Sequence, residues 1–253
     1  MEIIFLGTGG GRINLLKQVR ATGGFRINSK SANIHVDPGP GALVHSVRNR
    51  QDPLKLDAII VSHNHTDHVT DARVLIEGMS GYALRKKGIF IGSKVTLGTD
   101  GGIGEFHLEK IATVYAAEYL DHKKFETGKG FFEIDIYPMK HEEPSTFGFR
   151  LSMDGAVLGY ISDTEYTESF GKDFSGCDLL VINCIKPEDD RYSGHLTSGG
   201  VIKILKAARP KKAVITHLGM KMLQIGPAKE AERIEKESGV QTIAAKDGMK
   251  ITI

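Results

Sequence analysis

Cysteine is scarce in this 253-residue chain: Cys177 and Cys184 are the two present. That is too few for the disulfide framework that holds small secreted folds together. Both sit around the apolar run LLVINC, so buried free thiols are expected. Long apolar runs are missing as well. None approaches the roughly 18 residues needed to cross a bilayer, which excludes a membrane-spanning helix. The opening MEIIFLGTGG has no basic segment leading into a cleavable apolar stretch, so no signal peptide and a cytoplasmic protein are expected. Nor is there an excess of either charge. The net charge is +2, which rules out a global basic field demanding nucleic acid. The Lys-rich stretches at 110–129 and 203–212 read as solvated surface. Repeats, low-complexity tracts and Pro/Ser-rich linkers are also lacking, and a single domain spanning residues 1–253 is expected.

What the chain does have is an ordinary globular composition, 40% hydrophobic and 25% charged, and a clear punctuation of strands. EIIFLG, ANIHVD, DAIIVSH, GIFIGS, FFEIDIYPM, FGFRLSM, AVLGYIS, DLLVINC, KAVITH and MKITI all read as strands. GALVHSVRNR, residues 67–79, GGVIKILKAAR and AKEAERIEKES read as helices, and HLEKIATVYAAEYLDHKK (107–124) as a further one. Met153-Asp154-Gly155 marks a hairpin turn. Strands mixed with helices in this way imply an α/β fold, with sheets covered by helices in layers. The Gly-rich GTDGGIGEF (98–106) reads as a surface connection, with a mobile loop bordering a pocket as the alternative.

The densest chemistry lies in SHNHTDHV (62–69), which places His63, His65, Asp67 and His68 within six residues. Imidazole and carboxylate are the donors that zinc prefers and that iron or manganese accept. The run follows the strand-like DAIIV and precedes Val69, Ala72, Leu75 or Ile76, and Met79 at helical spacing. It therefore occupies the turn between a strand's carboxyl end and a helix's amino end, where open α/β sheets bind ligands. His141, Asp163 and His217 each stand where another apolar strand gives way to a loop. Adjacent strands would bring these four loops to one edge.

The order HxHxDH, then an isolated His, an Asp and a final His, resembles the metallo-β-lactamase superfamily over essentially the whole chain. The resemblance implies a four-layer αββα sandwich with two divalent metal ions on one edge, most simply Zn2+, with Fe or Mn as alternatives. His63, His65 and His141 resemble the ligands of one metal. Asp67, His68 and His217 resemble those of the second, Asp163 bridges both, and Asp37 in HVDPGP resembles the acid behind the ligand loop. His195, in SGHLTSGG ahead of a helix, resembles a catalytic residue of the phosphodiesterase branch, which includes ribonuclease Z and cyclic-phosphate phosphodiesterases. The implied reaction is phosphodiester hydrolysis by a bridging hydroxide, with His195 as general acid or oxyanion contact. Asp67 would orient the nucleophile or His195.

Departures from ribonuclease Z narrow the substrate. No long basic arm follows Met79, which leads only to the short cluster Arg85-Lys86-Lys87, and LLKQVRAT (15–22) keeps only Lys17 and Arg20 of the family's PxKxRN loop. A small or single-stranded phosphodiester fits better than precursor tRNA. The alternatives are a tRNA 3′-processing endonuclease, a lactonase or other carbonyl-ester hydrolase, and a nucleic-acid-binding module with a structural metal. A homodimer is compatible with the family. His35, His45, His107 and His122 read as structural or surface residues. GTGGG lacks the Lys-Ser/Thr of a P-loop and reads as a tight turn beside the site.

Overall fold

The computed structural model describes residues 1–187 and 192–253. Among these, fourteen strands form two seven-stranded mixed sheets. In chain order they are β1 (Glu2–Phe5), β2 (Phe25–Asn28), β3 (Asn33–Val36), β4 (Ala58–Val61), β5 (Ile89–Gly92), β6 (Thr113–Ala116), β7 (His122–Glu126), β8 (Phe131–Pro138), β9 (Phe147–Met153), β10 (Ala156–Ile161), β11 (Leu179–Asn183), β12 (Lys212–Thr216), β13 (Thr242–Ala244) and β14 (Lys250–Thr252). The helices are α1 (Gly11–Lys17), α2 (Ala42–Arg48), α3 (Thr66–Val69), α4 (Ala72–Met79), α5 (Glu105–Leu108), α6 (Phe170–Asp173), α7 (Ser198–Ala208), α8 (Met220–Ile225) and α9 (Pro227–Ser238). One sheet runs β14-β1-β2-β3-β4-β5-β6, the other β13-β12-β11-β10-β9-β8-β7.

Side-chain alternation explains why the central strands are apolar without interruption. In β4, Ala58 and Ile60 enter the core between the sheets, whereas Ile59 and Val61 enter a second core with Leu75, Ile76 and Met79 of α4. In β11, Leu179 and Val181 face the inter-sheet core, while Leu180 and Ile182 pack with Val201 and Leu205 of α7 and Ile234 of α9. A strand buried on both faces has no polar side to display. The result is the four-layer αββα sandwich expected from the sequence. No helix among the described residues is long and apolar enough to cross a membrane.

The two sheets share a design that positions the site. Strands β3 to β6 are mutually parallel, as are β10 to β13. Their carboxyl ends deliver loops to the crevice where such sheets bind ligands.

Two expectations need correction. Residues 107–124 are not one helix. Only Glu105–Leu108 is helical, Thr113–Ala116 pairs in parallel with β5, and His122–Glu126 pairs antiparallel with β8. Edge pairing by β-branched and aromatic Thr113, Val114 and Tyr115 wins over local periodicity. The helix expected over 67–79 is two helices, beginning at Thr66 and interrupted before Ala72. There Asp71 leaves the helical path: its N–H donates to the Pro38 carbonyl at 2.9 Å and its carboxylate accepts from Leu43 N–H at 3.0 Å. The hairpin at Met153-Asp154-Gly155 stands, with φ of 52° at Asp154 and 79° at Gly155, the twist a two-residue turn requires.

Candidate metal centre

Seven side chains from strand ends, loops and α3 converge. His63 and His65 follow β4, and Asp67 and His68 ride on α3. His141 follows β8, Asp163 follows β10 and His217 follows β12, all from the facing sheet. His195 joins them from the loop ahead of α7. Ligand-type atoms of His63, His65 and His141 lie within 4.8 Å of one another, as do those of Asp67, His68 and His217. Between the two groups sits one oxygen. Asp163 Oδ2 is 3.8 Å from His63 Nε2, 3.4 Å from His68 Nε2, 3.4 Å from His217 Nε2 and 3.6 Å from His195 Nδ1. Asp67 Oδ2 lies 3.2 Å from His217 Nε2.

Behind these groups runs a network of buried hydrogen bonds. Asp37 accepts from the Ser62 backbone N–H (2.7 Å), the Ser62 hydroxyl (2.7 Å), the Tyr160 hydroxyl (2.7 Å) and His68 Nδ1 (2.9 Å). Asn183 Nδ2 donates to Asp163 Oδ1 at 2.8 Å and to the Tyr160 oxygen at 3.2 Å. His141 Nδ1 donates to the Gly194 carbonyl at 2.7 Å. Asp37, which the resemblance places behind the ligand loop, thus contacts Ser62 and His68 of that loop and Tyr160 of β10. Tyr160 and Asn183 carried no signal in the sequence, because each sits inside an apolar strand and reads as a strand residue.

The electrostatics follow from burial and proximity. Burial, with neighbouring imidazoles, drives the His63 pKa well below the ordinary value, and burial with His141 lowers that of His65. For His68 burial works in the same direction, but Asp67, Asp163 and Asp37 outweigh it and hold its pKa well above. Burial opposes ionisation of Asp163, yet His217, His195 and His68 keep it a carboxylate, its pKa well below the usual range. Asp67 is lowered likewise by His68 and His217 against its own burial. Burial brings His195 down to about 4, with His217 and His141 adding to the effect and Asp163 resisting it.

Do these residues suit a metal? Three observations say so. His68 and His141 spend their Nδ1 protons on Asp37 and Gly194, which leaves Nε2 with a free lone pair on each. Those lone pairs point at other nitrogens: His68 Nε2 is 3.3 Å from His217 Nε2, and His141 Nε2 is 3.1 Å from His65 Nδ1. His63 Nε2 is fully buried with no hydrogen-bond partner, an arrangement costly for a polar group unless a cation completes it.

The surroundings are specific too. A Cβ on Gly10 would lie 2.2 Å from His217 Nδ1, so the GTGGG turn must be bare where it passes the ring. Gly102 of the Gly-rich loop donates its N–H to Asn64 Oδ1 at 2.7 Å, and Ile103 is buried, so this loop packs against the ligand turn. A cleft of about 830 Å3 opens beside His195, lined by Lys140, Tyr166, Tyr192 and Lys203 among others. The other histidines lie elsewhere. His35 is buried within β3, His107 meets Glu77 at 3.2 Å and His122 meets Asp135 at 2.7 Å. His45 belongs to α2.

Comparison with known proteins adds the following. A family profile described as "Beta-lactamase superfamily domain" matches residues 32–218. An uncharacterized protein of Methanocaldococcus jannaschii is 34% identical, the match covering 100% of this chain and 95% of that protein. A ribonuclease Z of Sulfolobus acidocaldarius is 33% identical over 92% of this chain and 93% of its own. The crystal structure of the metallo-beta-lactamase fold protein YhfI from Bacillus subtilis superposes with a TM-score of 0.79 at 22% identity, covering 99% of this chain and 98% of that one.

Proposed function

Because the chain belongs to the metallo-β-lactamase superfamily of metal-dependent hydrolases, we propose that it is a single-domain phosphodiesterase with a dinuclear metal site. His63, His65 and His141 would hold one ion and Asp67, His68 and His217 the other, with Asp163 reaching both. Zinc suits these donors, and iron or manganese are accepted by the same set. Bound there, the ions supply a water of lowered pKa and Lewis acidity toward a phosphoryl oxygen.

The remaining work falls to the chain. Asp67, 3.2 Å from His217 Nε2, has a second oxygen with which to orient the attacking water. Asp37 fixes the His68 tautomer and Gly194 that of His141, which keeps their lone pairs directed inward. His195 is placed between the cluster and the open cleft, with Nδ1 3.6 Å from Asp163 Oδ2 and its ring stacked on His217 at 5.8 Å. With its pKa brought down to about 4 the ring is neutral near pH 7, so from there its N–H donates a hydrogen bond to a non-bridging phosphate oxygen or to the leaving oxygen, and it acts as general acid only where the bound diester's negative charge draws a proton onto it.

The observation that carries the phosphodiester reading is this imidazole at the mouth of a cleft that also presents Lys140 and Lys203. Glu165 also lines the cleft and pairs with Lys140 at 2.5 Å, so the rim carries two lysines against one carboxylate, a net positive balance that suits an anionic diester and gives no advantage to a neutral lactone. For the substrate's size, residues 80–130 bear on the question. They form β5, α5, β6, β7 and their connections, with no arm extended to grip a large RNA. A small or single-stranded diester is therefore preferred, although a relative carries the name ribonuclease Z. The test is a panel assay on metal-loaded protein with bis-p-nitrophenyl phosphate, 2′,3′-cyclic nucleotides, a precursor tRNA, a lactone and a β-lactam. Turnover of the small diesters is expected. Turnover of the lactone or β-lactam alone overturns the phosphodiester reading, and turnover of the tRNA alone overturns the size argument.

A further inference from the structure

The two carboxylates that serve the metal cluster from behind and from within, Asp37 and Asp163, are joined through a single side-chain amide. Asn183 is 4% exposed at the carboxyl end of β11. One of its Nδ2 hydrogens goes to Asp163 Oδ1 at 2.8 Å, the other to the Tyr160 oxygen at 3.2 Å. The direction of every bond is then forced. Tyr160 has one hydroxyl proton and gives it to Asp37 Oδ2 at 2.7 Å, so its oxygen must accept, and Asn183 is the donor that meets it. Asp37 Oδ2 in turn accepts from His68 Nδ1. The consequence for Asp163 is asymmetry. Its Oδ1 is occupied by an amide proton, while Oδ2 is left facing the nitrogens of His63, His68, His195 and His217 at 3.4–3.8 Å.

We propose that Asn183 is a positioning residue that makes Asp163 present one oxygen, Oδ2, to both metal positions, and through Tyr160 ties that choice to the His68–Asp37 pair. Without the amide, Asp163 is free to rotate and offer both oxygens to one position, and the other loses its shared ligand. The loss falls mainly on the Asp67–His68–His217 position, because Asp163 Oδ2 lies closer to His68 and His217 than to His63. The His63–His65–His141 position keeps three imidazoles of its own. Tyr160 touches both ends, donating to Asp37 and accepting the second Asn183 hydrogen; removing its hydroxyl leaves the Asn183–Asp163 bond in place, so the effect falls first on the tautomer of His68 and less on the rotation of Asp163.

The inference rests on the dinuclear reading but is tested apart from catalysis. Wild type, Asn183→Leu, Asn183→Ala and Tyr160→Phe are titrated with Zn2+ against a chromophoric chelator, and with Co2+ while the visible spectrum is recorded. For wild type, two equivalents are expected. In Asn183→Leu the weaker equivalent should lose about 10- to 100-fold in affinity, the tighter one should change less than threefold, and the Co2+ bands should shift. Asn183→Ala, smaller and likewise without the donor, should behave in the same way and serves if the Leu variant does not fold. Tyr160→Phe should weaken the same equivalent but leave the Co2+ spectrum of the first unchanged. Both Asn183 variants binding two ions with wild-type affinities and spectra would overturn the proposal. Wild type binding a single ion would instead overturn the dinuclear reading on which it rests.

Discussion

Replacing Asp37 by Asn probes the network most sharply, because the two side chains have the same shape and differ by one acceptor and one charge. Asp37 has φ of 48°, a left-handed conformation that Asn adopts readily, so backbone strain does not confuse the result. Asp37 accepts four hydrogen bonds, one at Oδ1 from the Ser62 backbone and three at Oδ2 from Ser62, Tyr160 and His68. An amide has one acceptor oxygen, so one end must turn an NH2 group toward an N–H. If the amide nitrogen faces the Ser62 backbone, a buried N–H is left unpaired at a cost of about 1–3 kcal/mol. If it faces His68, the hydroxyls can rotate to accept but the imidazole must move its proton to Nε2, where a metal needs the lone pair. Second-position affinity then falls by about 10- to 100-fold. Urea denaturation of the metal-free protein reads the first outcome and chelator competition the second. Stability within about 0.5 kcal/mol of wild type together with unchanged affinity would refute the assignment of Asp37.

Other expected outcomes follow from single contacts. His195→Ala should bind metals as wild type but lose about 10²–10³-fold in kcat if the ring contacts a phosphate oxygen. A larger loss on poor leaving groups than on p-nitrophenolate would mark it instead as the general acid, and unchanged rates on both would remove it from the reaction. Gly10→Ala should displace His217 and weaken one metal equivalent, since the added carbon falls 2.2 Å from its Nδ1; equal binding of two equivalents would show that the turn yields. The pH dependence of folding should carry a component from His35, whose pKa burial lowers to about 3 although the Gly23 carbonyl partly offsets it. Below about 6.5 the unfolded chain takes up a proton that the folded state refuses, so stability is lost as pH falls from 6.5 toward 3. Between pH 6.5 and 4.5 this amounts to about 2 kcal/mol. In the metal-free protein His35→Gln should lack that part of the slope, and parallel pH profiles of the two proteins would contradict it.

Most of the architecture was legible because strands buried on both faces, such as β4 and β11, announce themselves as unbroken apolar runs. The ligand turn was legible for a different reason. Four donors in six consecutive residues need no tertiary information. His141, Asp163 and His217 were each weak alone and became readable through their common position after a strand. Tyr160 and Asn183 were not readable at all, since their importance lies in partners 20 to 123 residues away. The misread stretch at 107–124 failed for the same physical reason. Its local periodicity is helical, and only pairing with β5 and β8 converts it to strand. The interruption before Ala72 likewise depends on Pro38 and Leu43, which are distant in sequence.

The central claim is that two ions at this cluster drive phosphodiester hydrolysis. It is tested most directly by adding Zn2+, Mn2+ or Fe2+ in known equivalents to chelator-stripped protein while measuring bis-p-nitrophenyl phosphate hydrolysis. Activity absent at zero equivalents and rising to a plateau at two, and lost in Asp163→Ala, is the predicted result. Hydrolysis that persists without metal, or that is complete at one equivalent, would contradict it.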